Sequence, residues 1–116
     1  VKKLSFLFLI LLFSTSGMAA SPPAPVAFPE VAAKTSVAFC AKMEECATQK
    51  IPQEKCVREM QSTFQLSYEA LPKTKKVEVQ SSDLELCTKS IKSSTCEQLK
   101  TAHQLKGCDF IQKLGS

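Results

Sequence analysis

The residues with the most chemistry in them are six cysteines, at positions 40, 46, 56, 87, 96 and 108. Cysteine offers disulfide formation, metal ligation and thiol redox chemistry. Structural zinc sites favour close pairs such as C-x2-C, usually with histidines. Here the closest spacing is C-x5-C, and the one histidine is His103. Thioredoxin-type exchange uses C-x-x-C, and haem attachment uses C-x-x-C-H. Neither motif occurs. An even number of cysteines in a small exported chain reads as a disulfide framework, so all six are expected to be structural.

Other reactive side chains lack the company that chemistry requires. A hydrolytic role for His103 would need a nucleophile and an orienting acid beside it, and the sequence places neither. A part-buried helix position is expected instead. Glu44 with Glu45, and Glu54 with Glu59, are pairs of carboxylates, but they sit among Lys42, Lys55 and Arg58. A solvated, charge-balanced helix face is expected there. The reading is therefore of a non-enzyme with no catalytic, cofactor-binding or metal site.

The disulfide reading requires export, and the first twenty residues supply it. Lys2 and Lys3 form a positive n-region, residues 4–13 are apolar except for Ser5, and Gly17, Ala19 and Ala20 supply small side chains. That order describes a secretory signal peptide with cleavage expected after Ala19 or Ala20. A membrane span needs about 20 apolar residues, about twice this run, so no transmembrane helix is expected in the mature form. The first cysteine is Cys40, far from the cleavage site, so no lipid anchor is expected. A valine at position 1 is what a literally translated alternative bacterial start codon leaves, so a bacterial source and a periplasmic or secreted location are expected. The signal carries two of the 15 basic residues, which leaves 13 against 11 acidic ones rather than the formal +4. Nucleic-acid binding wants a clustered basic face, and a balance this even gives no case for it.

In the expected mature chain, residues 21–30 are rich in Pro and Ala and are expected to form a disordered leader. The folded domain is then expected over 31–116. It has few glycines, no Asn and no Trp, and its apolar residues recur at three and four. This predicts an all-α fold. Helix one is expected over 31–48, with Val37, Cys40, Ala41 and Ala47 on one apolar face and Phe39, Met43 and Cys46 on an adjacent one. Pro52 suits the first turn of helix two, which carries Val57, Met60, Phe64, Tyr68 and Leu71 and stops at Pro72. A charged connection follows, with Val77, Glu78 and Val79 briefly extended. Two S-x-x-E capping boxes, Ser82 with Glu85 and Ser94 with Glu97, predict the starts of helices three and four. Gly107 suits the end of helix four, and Phe110, Ile111 and Leu114 form an apolar tail. The expected architecture is two disulfide-stapled helical hairpins, four short helices in all.

Hairpin geometry prunes the disulfide pairings. Reflecting Cys46 across a turn centred near residues 50–51 lands on Cys56, so Cys46–Cys56 is favoured. Cys40 must then reach the second hairpin. Cys96 and Cys108 bracket helix four, where twelve helical residues would span about 18 Å, too far for a disulfide. Two schemes remain: Cys87–Cys96 with Cys40–Cys108, slightly favoured, or Cys40–Cys96 with Cys87–Cys108.

The spacing C-x5-C-x9-C, a late C-x8-C and a final L-x-G-C resembles small exported six-cysteine helical bacterial proteins of unknown function, over residues 37–111. That resemblance implies no activity. The chain also resembles the saposin-like lipid-binding proteins in its helices, export and six cysteines, although those begin with C-x-x-C and Cys40 and Cys46 are six apart. Twin C-x9-C proteins carry both cysteines on one helix, whereas Pro52 here separates Cys46 from Cys56. The function expected is binding of another macromolecule, an unidentified protein or envelope component, with saposin-like contact with a membrane surface as the alternative. The candidate contact residues are Leu66, Phe110 and Ile111, as an apolar patch, and the basic cluster Lys73, Lys75 and Lys76.

Overall fold

The computed structural model describes residues 24–115. The expected signal peptide and residues 21–23 of the expected leader lie outside the described residues. The fold is all-α, with helices α1 (Phe28–Cys46), α2 (Gln53–Glu69), α3 (Ser81–Ser93), α4 (Cys96–Leu99) and α5 (Asp109–Leu114). Two 3-10 turns, Lys73–Lys75 and Ala102–Gln104, interrupt the connections. Among the described residues no helix is long and apolar enough to cross a membrane.

α1 is the central element, packed against both α2 and α3. It begins earlier than expected because Pro29 is accepted in its first turn, where a missing N–H costs nothing. That extension brings Phe28 inward, and the buried stripe runs through Phe28, Val31, Ala32, Thr35, Ser36 and Cys40. The stripe expected through Val37 and Ala41 is therefore on the wrong face: both are exposed, Val37 at 54%. The expectation of a disordered leader up to residue 30 also fails for its described part. The Val26 N–H donates to the Val79 carbonyl at 2.8 Å, Pro25 bridges Gln80, and Phe28 is in the core. Val77 and Val79 are buried with Glu78 exposed between them, the alternation of a short extended segment.

The core joins this α1 stripe to Leu84, Cys87 and Ile91 of α3, to Leu71, Val77 and Val79, and to Phe110 and Leu114 of α5. Val31 and Ile91 are fully buried, each stabilising by about 1.5–3 kcal/mol. Thr35 and Ser36 are also buried, and their hydroxyls have no hydrogen-bond partner among the described residues. Lys42 is buried too, with its ammonium 3.0 Å from the Glu45 carboxylate and donating at 3.3 Å to the Lys92 carbonyl. That carbonyl belongs to the last turn of α3, where a cation is favourable.

The second hairpin does not form as expected. Ser94 closes α3 instead of opening α4, with its Oγ donating to the Ile91 carbonyl at 2.8 Å. The working capping box is one residue later, Thr95 with Gln98. α3 starts after Gln80, so Ser82 lies inside the helix and its box is not used. Helix four is not continuous to Gly107 but is replaced by α4 and the 3-10 turn, and the apolar tail beyond Gly107 forms α5. Gly107 adopts φ +82, and a Cβ there would lie 2.6 Å from the Asp83 carbonyl oxygen and 2.7 Å from the Cys87 nitrogen. Glycine lets the chain press directly onto the α3 backbone.

Candidate functional site

The disulfides place the surface. All six cysteines are bonded, as Cys40–Cys56, Cys46–Cys96 and Cys87–Cys108. Their Cα separations of 6.0, 5.6 and 4.7 Å lie in the normal window. Cys46–Cys56 is therefore wrong, and so are its companions Cys87–Cys96 and Cys40–Cys108. Cys87–Cys108 belonged to the less favoured scheme and is present. The cause is the connection 47–52. It doubles back along α1: the Ile51 N–H donates to the Glu44 carboxylate at 3.1 Å, and the Gln53 amide donates to the Cys40 carbonyl at 3.0 Å. The start of α2 thus lies beside Cys40, a turn and a half above the end of α1. Cys46 is left at the helix terminus, and it, not Cys40, crosses to the C-terminal half. The pair Cys96–Cys108 is absent, but α4 is too short for the helix-length reason given for it.

The α1–α2 hairpin is aligned by side chains as well. Phe28 stacks on Tyr68 with ring centroids 4.1 Å apart, in the same antiparallel register as Cys40–Cys56. Lys76 lies 4.6 Å from the Tyr68 ring centroid, and its ammonium donates to the Tyr68 carbonyl at 2.8 Å. It caps the α2 C-terminus.

The expected contact residues do not form one surface. Leu66 is exposed at 64%, but Phe110 is buried and Ile111 packs against the core. The apolar patch is therefore split, because α5 turns its aromatic residue inward. Lys73 and Lys75 are exposed, whereas Lys76 is committed to α2. His103 is half-buried in the 3-10 turn. Glu44 and Glu45 serve Ile51 and Lys42, and Glu54 faces Arg58 at 3.9 Å. No group of three or more metal-ligating side chains occurs among the described residues.

A different surface emerges where α1, α2 and α4 meet. Two adjoining hollows of about 500 and 490 Å³ share Met43, Ile51 and Met60. The first adds Phe39, Leu99 and the Cys46–Cys96 disulfide, and the second adds Pro52, Cys56 and Thr63. Lys55, Glu59 and Lys100 supply charges of both signs. The groove exists because α2 buries none of its side chains completely. Its apolar stripe meets α1 on one side and stays half-exposed on the other. Sequence reasoning placed Met43 and Met60 on apolar helix faces but did not bring them together, because the register of α2 on α1 depends on the doubled-back connection. The usable signal was methionine itself: the described residues hold two, one on each helix of the hairpin.

Comparison with known proteins returns no match, whether to protein-family models, to curated proteins or to solved structures.

Proposed function

We propose that this chain is an exported, non-enzymatic protein that binds a protein partner through the methionine-lined groove. The observation that carries this reading is the adjoining pair of apolar hollows around Met43, Ile51 and Met60, with charges of both signs at hand. Methionine side chains are flexible and polarizable and adapt to varied apolar partners. Three disulfides hold the groove's scaffold and favour an oxidising compartment. A periplasmic or secreted location, and kinship with small exported six-cysteine bacterial proteins, extend that inference. N-terminal sequencing of the exported protein is expected to begin at Ala20 or Ser21, and a retained residue 4–13 segment would reject the cleaved signal.

The binding test is affinity capture from envelope extract, comparing the native protein with Met60→Asp. The variant should keep its helical circular dichroism and lose the captured protein. Identical capture by a folded variant would reject the groove. The half-covered stripe of α2 also favours a second reading, saposin-like contact with a lipid surface. Flotation with neutral and anionic vesicles tests it, and failure to co-float removes it.

A further inference from the structure

The three disulfides differ in what surrounds them. Cys87 and Cys108 are both fully buried, and so is Cys40, with its partner Cys56 half-buried. Cys46 is half-buried, and Cys96 alone among the six is exposed. Cys46–Cys96 joins the last residue of α1 to the first of α4 across 50 residues of sequence. Both of its cysteines line one hollow, beside Leu99 and Lys100.

What it restrains is slight. α4 has four residues and buries none of them completely. Its capping box is internal, with Thr95 and Gln98 bonding each other at 2.9 and 3.1 Å. Its one anchor in the core is the partly buried Leu99. By contrast, Cys87–Cys108 lies inside the core, under the close contact of Gly107 with α3.

We propose that Cys46–Cys96 is a thiol-exchange site for a dithiol reductant, and that opening it frees α4 and removes one wall of the groove. Access decides which sulfur is attacked. An incoming thiolate bonds to the Cys96 Sγ, the Cys46–Cys96 bond breaks, and its electron pair leaves on the Cys46 Sγ, which takes a proton from water. The reductant's second thiol gives up its proton to water and attacks its own sulfur in the mixed disulfide. The bond to Cys96 breaks, Cys96 leaves as a thiolate and is protonated, and the reductant departs as a cyclic disulfide. Two electrons and two protons pass to the protein. The loss of Leu99 and Lys100 opens the first hollow, while the second, around Lys55, Cys56 and Thr63, keeps its lining. This exchange does not depend on what the groove binds.

The test is native-state titration of the oxidised protein with dithiothreitol, trapping with N-ethylmaleimide and peptide mass spectrometry. The expected result is a species labelled only at Cys46 and Cys96, accumulating at reductant concentrations about tenfold below those that open Cys87–Cys108. Its circular dichroism should remain helical. Simultaneous opening of all three bonds, or earlier opening of Cys40–Cys56 or Cys87–Cys108, would overturn the proposal. Cys46→Ser with Cys96→Ser offers a second reading: a folded variant should open its other two bonds at unchanged reductant concentrations, and earlier opening would show that Cys46–Cys96 guards the core.

Discussion

α2 and α3 both pack on α1, and α2 is the longer and has the more continuous apolar stripe. Yet α3 buries Leu84, Cys87 and Ile91, while α2 buries no side chain fully. The difference lies in cover, not composition. α3 has α1 on one side and Gly107 pressed against its backbone, with Cys87–Cys108 beside it. α2 has α1 as its main neighbour and only a small contact with α5 beside it. Burial requires neighbours all round, so an apolar helix covered on one side presents a groove. The closed region holds the fold and the open one offers a surface.

The sharpest way to break this comparison is to remove the staples one at a time. Chain entropy alone ranks the longer loop first: about 4 kcal/mol for Cys46–Cys96 and about 3 for Cys87–Cys108. The structural contrast reverses that order. Cys87→Ala with Cys108→Ala also empties the core and should cost about 3–5 kcal/mol. Cys46→Ala with Cys96→Ala should cost less, because α4 can leave without disturbing the core. Urea unfolding of the two double variants measures both, and the entropic order would show that the open region is as tightly held as the closed one.

Gly107→Ala comes next. A left-handed residue costs about 1–2 kcal/mol without glycine, and the clash with α3 adds about 1–3. The expected loss is about 2–5 kcal/mol by the same measurement, and a loss below 1 would mean that 105–108 is free to lift off α3. The smallest effect belongs to α2. Leu66→Ser removes an exposed side chain and should change stability by no more than about 0.5 kcal/mol. A larger loss would place hidden cover over α2.

Much of the helical order was legible in the sequence. Pro52 and Pro72 bracket α2 as expected, the stripe through Phe64 and Tyr68 faces α1, and Gly107 is left-handed as a helix-ending glycine would be, although no helix four ends there. Local rules suffice for these because each is a property of one or two neighbouring residues. The disulfide pairing was not legible, since it hinges on how far 47–52 folds back along α1. Two side-chain contacts, from Glu44 to Ile51 and from Gln53 to Cys40, set that distance. Symmetric reflection assumes a tight turn and misplaces α2 accordingly. The capping register at Ser94 was ambiguous for a simpler reason: adjacent Ser94 and Thr95 each offer a hydroxyl, and only the end of α3 decides between them. The groove was illegible for the same reason as the disulfides, because Met43 and Met60 meet only in the shifted register.

Native-state hydrogen exchange, resolved by residue, measures the contrast between the two regions directly. Amides at the centres of α1 and α3 should exchange only through global unfolding, while those of α4 and of the groove-lining turns of α2 should exchange through smaller openings, at free energies lower by about 1–3 kcal/mol. Equal protection of α2, α3 and α4 would contradict the division into a closed core and an open, loosely covered surface.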